Sequence, residues 1–386
     1  MRVSEVRDTE RAGSKLKRNL FAVCAVAGLI LSLAGSTLAH DEKTDRQPGE
    51  KIERSLTVHP EATVTLCVAS GTLKVRGWEK SEIRVRSTDA VQLDFRRIDR
   101  TRDTSQPATR VDVMVTAKGP APNPRRDCQA LANVEMEVPS GATVQVQTRD
   151  GDIMIAGVAG AYAGSQNGDI AIEHVTKLVE AGSVGGSITL RDSSGRVNLS
   201  SAGGGVEVFN VRAATEEDTF EVGTVSGDIQ LDRVSSPKVS AKTVSGTLMM
   251  TGPLAKQGNY GFTSMTGDMV LAMPNDASFQ LNARVSGKHV IVSDFPLKYR
   301  SEPPPPPPAM PAKKSAEAKP KPPTVKDKPA VKDIPERTGP VVESIVIEKP
   351  RVVAPYVLVR VTAICGSGDA NISIASFGGT VRLKKI

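Results

Sequence analysis

Thr148-Arg149-Asp150-Gly151-Asp152-Ile153-Met154-Ile155 is a phrase that the chain restates. Its clearest copies are Ser165-Gln166-Asn167-Gly168-Asp169-Ile170-Ala171-Ile172 and Thr224-Val225-Ser226-Gly227-Asp228-Ile229-Gln230-Leu231. Two more are Thr243-Val244-Ser245-Gly246-Thr247-Leu248-Met249-Met250 and Ser264-Met265-Thr266-Gly267-Asp268-Met269-Val270-Leu271. Each holds a small-residue turn ending in glycine, a polar residue, and a short strand in which apolar and polar residues alternate. Weaker copies centre on Gly186, Gly204 and Gly287, and successive marker glycines from Gly151 to Gly287 are 17 to 23 residues apart.

A unit of about twenty residues with two period-2 strands is too thin to bury its own apolar side. Stacking solves this. If each unit is one coil of a parallel β-solenoid, neighbouring coils pair in register at ~4.8 Å. Ile153, Ile155, Ile170, Ile172, Ile188, Leu190, Ile229, Leu231, Leu248, Met250, Met269 and Leu271 then form one interior ladder. The glycines suit a turn that needs positive φ and penalises a Cβ, and the Asp or Thr that follows can satisfy turn amides. The expected fold class is all-β, a solenoid of roughly ten coils. Residues 81–138 supply four more alternating strands, at 82–86, 91–95, 111–115 and 134–138, joined by loops at 96–110 and 118–130. They read as an N-terminal cap. A final strand pair is expected from Val357 to Leu383.

The N-terminus reads as an address. Arg2, Arg7, Arg11, Lys15, Lys17 and Arg18 face three acids, and an uncharged apolar run extends from Leu20 to Ala34. Thr37 and Ala39 place small residues where signal peptidase requires them, so residues 1–39 read as a signal peptide and the mature chain begins at His40. The competing reading is an uncleaved anchor through residues 20–39. Cys24 lies inside the apolar run without a lipobox, which argues against a lipoprotein. The expected location is the periplasm or cell surface, with outward-facing inner-membrane anchoring as the alternative.

Residues 302–340 hold thirteen of the 26 prolines, interleaved with Lys and Ala. Such a run forms no core and favours stiff polyproline II. Only 46 residues follow it, too few for a comfortable separate domain. The expected organisation is a repeat domain at 52–301 including the cap, a disordered insertion at 302–340, and residues 341–386 completing the solenoid. Of the formal charge of +7, three belong to the leader and three to this insertion, where eight Lys and Arg face five acids. The remainder, +7 − 3 − 3 = +1, excludes a nucleic-acid footprint. The insertion's basic character suggests contact with anionic lipid or peptidoglycan.

Around the repeats the chain resembles the DUF4097 family of bacterial envelope proteins, described as candidate adhesins. The resemblance rests on the recurrent Gly-Asp phrase, on Gly71-Thr72-Leu73-Lys74-Val75-Arg76-Gly77-Trp78-Glu79 as an opening strand and turn, and on Ile372-Ser373-Ile374-Ala375-Ser376-Phe377-Gly378-Gly379-Thr380-Val381-Arg382-Leu383 as a closing repeat. It covers residues 52 to 386 apart from the insertion. It implies an all-β repeat protein without established activity.

Three cysteines follow the leader, and Cys67 with Cys128 is the expected disulfide because both lie in the N-terminal part of the body. Cys365 is left over as a structural thiol. His59, His174 and His289 give it no catalytic signature. Gly151, Asp152, Gly168, Asp169, Gly227, Asp228, Gly246, Gly267 and Asp268 read as structural turn residues. The aspartates could instead hold a cation or act on a sugar acid, but the same slot holds Ser187, Gly205, Thr247 and Lys288 in other repeats. Trp78 reads as a core or cap aromatic. No nucleophile elbow, HExxH or P-loop is present in the sequence. No catalytic residue, cofactor or metal is therefore assigned. The chain reads as a non-catalytic envelope binding or structural module for an unidentified protein, polymer or glycan. A carbohydrate-active enzyme on a solenoid is the alternative. Exposed solenoid edges also permit head-to-tail self-association.

Overall fold

The computed structural model describes residues 51–99, 105–117, 128, 130–286, 291–299 and 358–386. The expected signal peptide, the proline-rich insertion, residues 341–357, Gly287 to His289 and most of the 118–130 loop lie outside the described residues.

The N-terminal part contains β1 (Ile52–Ser70), β2 (Leu73–Trp78), β3 (Glu82–Ser87), β4 (Ala90–Arg97), β5 (Ala108–Ala117) and β6 (Val134–Pro139). β3 to β6 are the four alternating strands expected from the sequence, each with one buried face. The repeats follow as β7 (Thr143–Asp150), β8 (Ile153–Ala156), β9 (Gly160–Ser165), β10 (Ile170–Glu173), β11 (Leu178–Ser183), β12 (Ile188–Arg191), β13 (Arg196–Ser201) and β14 (Val206–Arg212). They continue as β15 (Thr219–Thr224), β16 (Ile229–Ser235), β17 (Lys238–Thr243), β18 (Leu248–Thr251), β19 (Asn259–Ser264) and β20 (Met269–Met273). The C-terminal part adds β21 (Phe279–Ser286), β22 (Ile291–Ser293), β23 (Lys298–Tyr299), β24 (Leu358–Cys365), β25 (Ala370–Ser376) and β26 (Val381–Lys385).

From β7 to β20 every strand pairs in parallel with the next but one, so even-numbered strands build sheet A and odd-numbered strands sheet B. One rung of sheet A runs Ile153, Ile170, Ile188, Val206, Ile229, Leu248, Met269, Val381. All twelve residues of the expected ladder are at most 2 % exposed. They meet Val144, Val146, Val179, Val197, Leu199, Phe220, Tyr260 and Phe262 of sheet B in one continuous core. Both sheets face inward with alternate residues, which is why the strands alternate instead of reading as unbroken apolar runs. The fold is an open, all-β parallel solenoid.

At both ends spatial order departs from chain order. β1 lies between β5 and β7 in sheet B, and β2 lies between β6 and β8 in sheet A. At the far end β25 inserts between β19 and β21, and β26 between β20 and β22. Counting β5, β1, the seven odd strands β7 to β19, β25 and β21, sheet B has eleven parallel rungs among the described residues. The next coil after Gly267 is thus contributed by Gly379, whereas Gly287 lies outside the described residues. The expected final strand pair is three strands: β24 returns antiparallel along β21 before β25 and β26 enter the stack. Val357, its expected start, is outside the described residues. β1 carries no repeat phrase, and its first residues, Ile52–Thr57, pair antiparallel with β3 in sheet A.

Among the described residues, three of the outermost strands are poor templates for another chain. β22 has three residues and β23 two, while β4 carries Asp94, Arg96 and Arg97.

Candidate functional site

The marker glycines stack along one corner of the solenoid. A Cβ on Gly168 would fall inside 3.0 Å of the Gly151 carbonyl, and one on Gly227 would meet the Gly204 carbonyl in the same way. At both positions φ lies outside the left-handed region. Close coil approach, not positive φ, therefore excludes a side chain at these two positions, which corrects the sequence argument there. Positive φ occurs in the glycine stack at Gly71 (124°), Gly246 (157°) and Gly379 (97°), and the non-glycine left-handed residues lie after or within the sheet A strands: His174 (φ 55°), Asp192 (45°), Asn210 (52°) and Arg233 (53°). Asn, Asp and His tolerate this region better than most residues.

Two polar ladders run beside the glycines. Asp152 Oδ1 accepts the Asp169 N–H at 3.0 Å, Asp169 Oδ1 the Ser187 N–H at 2.7 Å, Asp228 Oδ1 the Thr247 N–H at 2.7 Å, and Asp268 Oδ1 the Thr380 N–H at 2.7 Å. Each carboxylate thus serves the matching amide of the next coil. In space the slot reads Asp152, Asp169, Ser187, Gly205, Asp228, Thr247, Asp268, Thr380, so carboxylates are adjacent only at Asp152 and Asp169.

Buried hydroxyls three residues before the glycines form the second ladder, which sequence reasoning missed. Ser183 Oγ accepts from Gly186 N at 2.9 Å and donates to Gly168 O at 3.3 Å. Ser165, Ser201 and Thr224 repeat the pattern. The signal was the recurrent Ser or Thr opening each quoted phrase. Thr148 breaks it, because its buried Oγ1 has no partner.

Just outside this ladder a second row is apolar and, apart from half-buried Ala202, exposed. Val184, Ala202, Val225, Val244, Met265 and Phe377 occupy one slot in six successive coils, each donating its N–H to the Ser or Thr carbonyl of the preceding coil. Val184 is 58 % exposed and Phe377 39 %. At ~4.8 Å per coil the row spans about 24 Å.

The outer face of sheet B carries two troughs. One, of about 440 Å³, is bordered by Gln145, Gln147, Tyr162, Glu180 and Asn198. The other, of about 510 Å³, lies over β19, β25, β21 and β24 and is bordered by Thr263, Asn282, Arg284, Arg360, Thr362 and Ser373.

Other reactive groups are engaged. Cys67 and Cys128 form a disulfide with Cα atoms 5.0 Å apart. Cys365 is buried, and that burial pushes its thiol pKa up, away from thiolate reactivity. Trp78 donates its Nε1–H to Glu82 O at 2.7 Å, with Arg84 and Lys80 over its ring. At the cap, burial tends to raise the Asp99 carboxyl pKa. Hydrogen bonds from Thr109 Oγ1, Arg97 and the Arg110 and Thr109 amides outweigh it and lower it to about 2. Among the described residues no cluster of three or more His, Cys, Asp or Glu could hold a metal ion.

The class these features define is an open, two-sheet β-solenoid with a glycine corner and no assembled catalytic centre among the described residues. Residues 128–289 match the family model Toastrack DUF4097, a stretch that includes the regular coils. The coils formed by β1 with β2 and by β25 with β26 lie outside the matched residues. No curated protein matches the chain. Among solved structures, the chain is similar to a candidate adhesin from Parabacteroides distasonis ATCC 8503 at 10 % identity, covering 58 % of this chain and 91 % of that one, with a TM-score of 0.37. A candidate adhesin from Parabacteroides merdae ATCC 43184 matches at 10 % identity, 58 % and 90 % coverage and a TM-score of 0.35. A candidate lipid-binding protein from Parabacteroides distasonis ATCC 8503 matches at 15 % identity, 58 % and 90 % coverage and a TM-score of 0.38. Likenesses this loose carry no argument about function.

Proposed function

We propose that the protein is a non-catalytic, exported cell-envelope module that binds an envelope or surface partner through its solenoid edge. The row from Val184 to Phe377 carries this reading. Single exposed apolar residues are ordinary, but an aligned row of them on consecutive turns marks a contact surface. The aspartate ladder supports a non-catalytic role, since the Oδ1 of each repeat aspartate accepts a backbone amide of its neighbour. The charged leader with its apolar run and small-residue cleavage site supports export, and a disulfide suits an oxidising compartment. In this reading residues 1–39 are removed, residues 52–301 and 341–386 form the solenoid, and 302–340 is a spacer.

The test is fractionation of the host producing either the native chain or Val225→Ser/Val244→Ser/Met265→Ser, with the N-terminus of each fraction determined. Expected is a mature start at His40 and native protein in the envelope fraction, with the triple variant folded but released to the soluble fraction. Equal envelope retention of a folded triple variant would remove the edge as the binding surface. An intact N-terminus would replace cleavage by anchoring through residues 20–39.

A further inference from the structure

The larger trough on sheet B has an unusual charge. Arg284 of β21 and Arg360 of β24 are directly opposite each other on antiparallel strands, and both are exposed. Directly opposed like charges destabilise a strand pair, and an acid nearby is the ordinary remedy. None is present. The outward residues of β17, β19, β25, β21 and β24 whose side chains are described are Lys238, Ser240 and Lys242; Asn259, Gly261 and Thr263; Asn371, Ser373 and Ala375; Gln280, Asn282 and Arg284; and Arg360, Thr362 and Ile364. They include four cations and no carboxylate. Neither arginine has an ion pair or hydrogen bond among the described residues. The second trough on the same face, bordered by neutral amides, Tyr162 and Glu180, shows that sheet B does not require this charge.

Register carries the argument further. Thr263, Ala375, Arg284 and Arg360 are successive partners across the sheet. The arginines therefore rise from one wall of a floor of small residues, with Asn282, Thr362 and Ser373 supplying polar side chains beside them. The volume of about 510 Å³ suits a small ligand. Two guanidinium forks about 5 Å apart at their Cα atoms can grip one oxyanion from two sides. Aromatic side chains are missing from the outward residues named above, which disfavours sugar stacking as the source of affinity.

We infer that this trough is a binding site for a multiply charged oxyanion, a phosphate or carboxylate group on a small molecule or chain end, held between Arg284 and Arg360. The site is separate from the apolar edge and stands whether or not that edge binds a partner.

The test is calorimetric titration of the purified full chain with pyrophosphate and, separately, citrate at low ionic strength. The chain is compared with Arg284→Gln, Arg360→Gln and a remote control, Arg76→Gln on sheet A. Expected is saturable binding by the native chain, weakened at least tenfold by either trough substitution and unchanged in the control. The tighter arm names the source of the anion as phosphate or carboxylate. Without ligand, Arg284→Gln should unfold at the same or a higher temperature than the native chain, because it removes an opposed like charge. Failure of both anions to bind the folded native chain, or binding by the two trough variants as tight as that of the native chain, overturns the assignment.

Discussion

Thr224 and Thr148 are equivalent residues with opposite energetic roles, and the contrast tests the account of the glycine corner. Both are buried and both precede a marker glycine by three positions. Thr224 Oγ1 accepts the Gly227 N–H at 3.0 Å and donates to Gly204 O at 3.3 Å, so it satisfies groups of two successive coils. Thr148 Oγ1 satisfies nothing. Valine replaces threonine with nearly the same shape and the same strand preference, leaving the hydroxyl as the difference. Thr224→Val strands a buried amide and weakens a carbonyl, which should cost about 1–3 kcal/mol, or roughly a 5- to 150-fold change in the folding equilibrium. Thr148→Val removes an unpartnered buried hydroxyl and should be neutral or stabilising by up to ~1 kcal/mol. Urea unfolding followed by far-ultraviolet circular dichroism measures both, with amide exchange at Gly227 as the local readout. Stacked repeats couple mainly to their neighbours, so exchange should rise near Gly227 before the whole stack responds. Equal losses in the two variants, or a greater loss for Thr148→Val, would refute the hydroxyl ladder as a source of stability.

Acid should loosen the N-terminal cap through Asp99. Its carboxyl pKa is lowered to about 2 from 3.8, so its stabilisation is present above pH 4 and is lost as the pH falls through 2; Asp99→Asn should remove that part of the acid response in unfolding titrations. Reducing the Cys67–Cys128 disulfide, whose cysteines are 61 residues apart, should lower stability by about 2–4 kcal/mol, read as a drop in urea midpoint on adding dithiothreitol. An unchanged midpoint with both thiols shown free would exclude that contribution.

Much of the architecture is legible in the chain because a repeat states its own neighbours. Alternation in Ile153-Met154-Ile155 or Ile229-Gln230-Leu231 specifies which side faces inward. A twenty-residue period requires stacking, since one unit cannot cover its apolar face. The Asp228 and Asp268 slots were readable as amide-satisfying positions for the same reason. What a repeat does not state is which copy stacks at the ends. β25 and β26 enter beside β19 and β20 although more than ninety residues separate Met273 from Ala370, and β1 enters between strands that follow it in sequence. Those pairings depend on long-range closure, for which local periodicity carries no signal.

The same division explains the candidate sites. Sequence alone determined the glycine spacing, the alternation and the charge of the separate segments. It also assigned the left-handed backbone to all the marker glycines, whereas at Gly168 and Gly227 the stacked backbones alone exclude a Cβ, positive φ is confined in that stack to Gly71, Gly246 and Gly379, and further left-handed residues fall at His174, Asp192, Asn210 and Arg233. Only tertiary structure set Val184 through Phe377 in one row and Arg284 opposite Arg360, because residues in these groups are up to 193 positions apart, taking Phe377 and Val184 (377 − 184), and meet through register. Local chemistry decides how each coil turns, and the order in which the coils stack decides which side chains become neighbours.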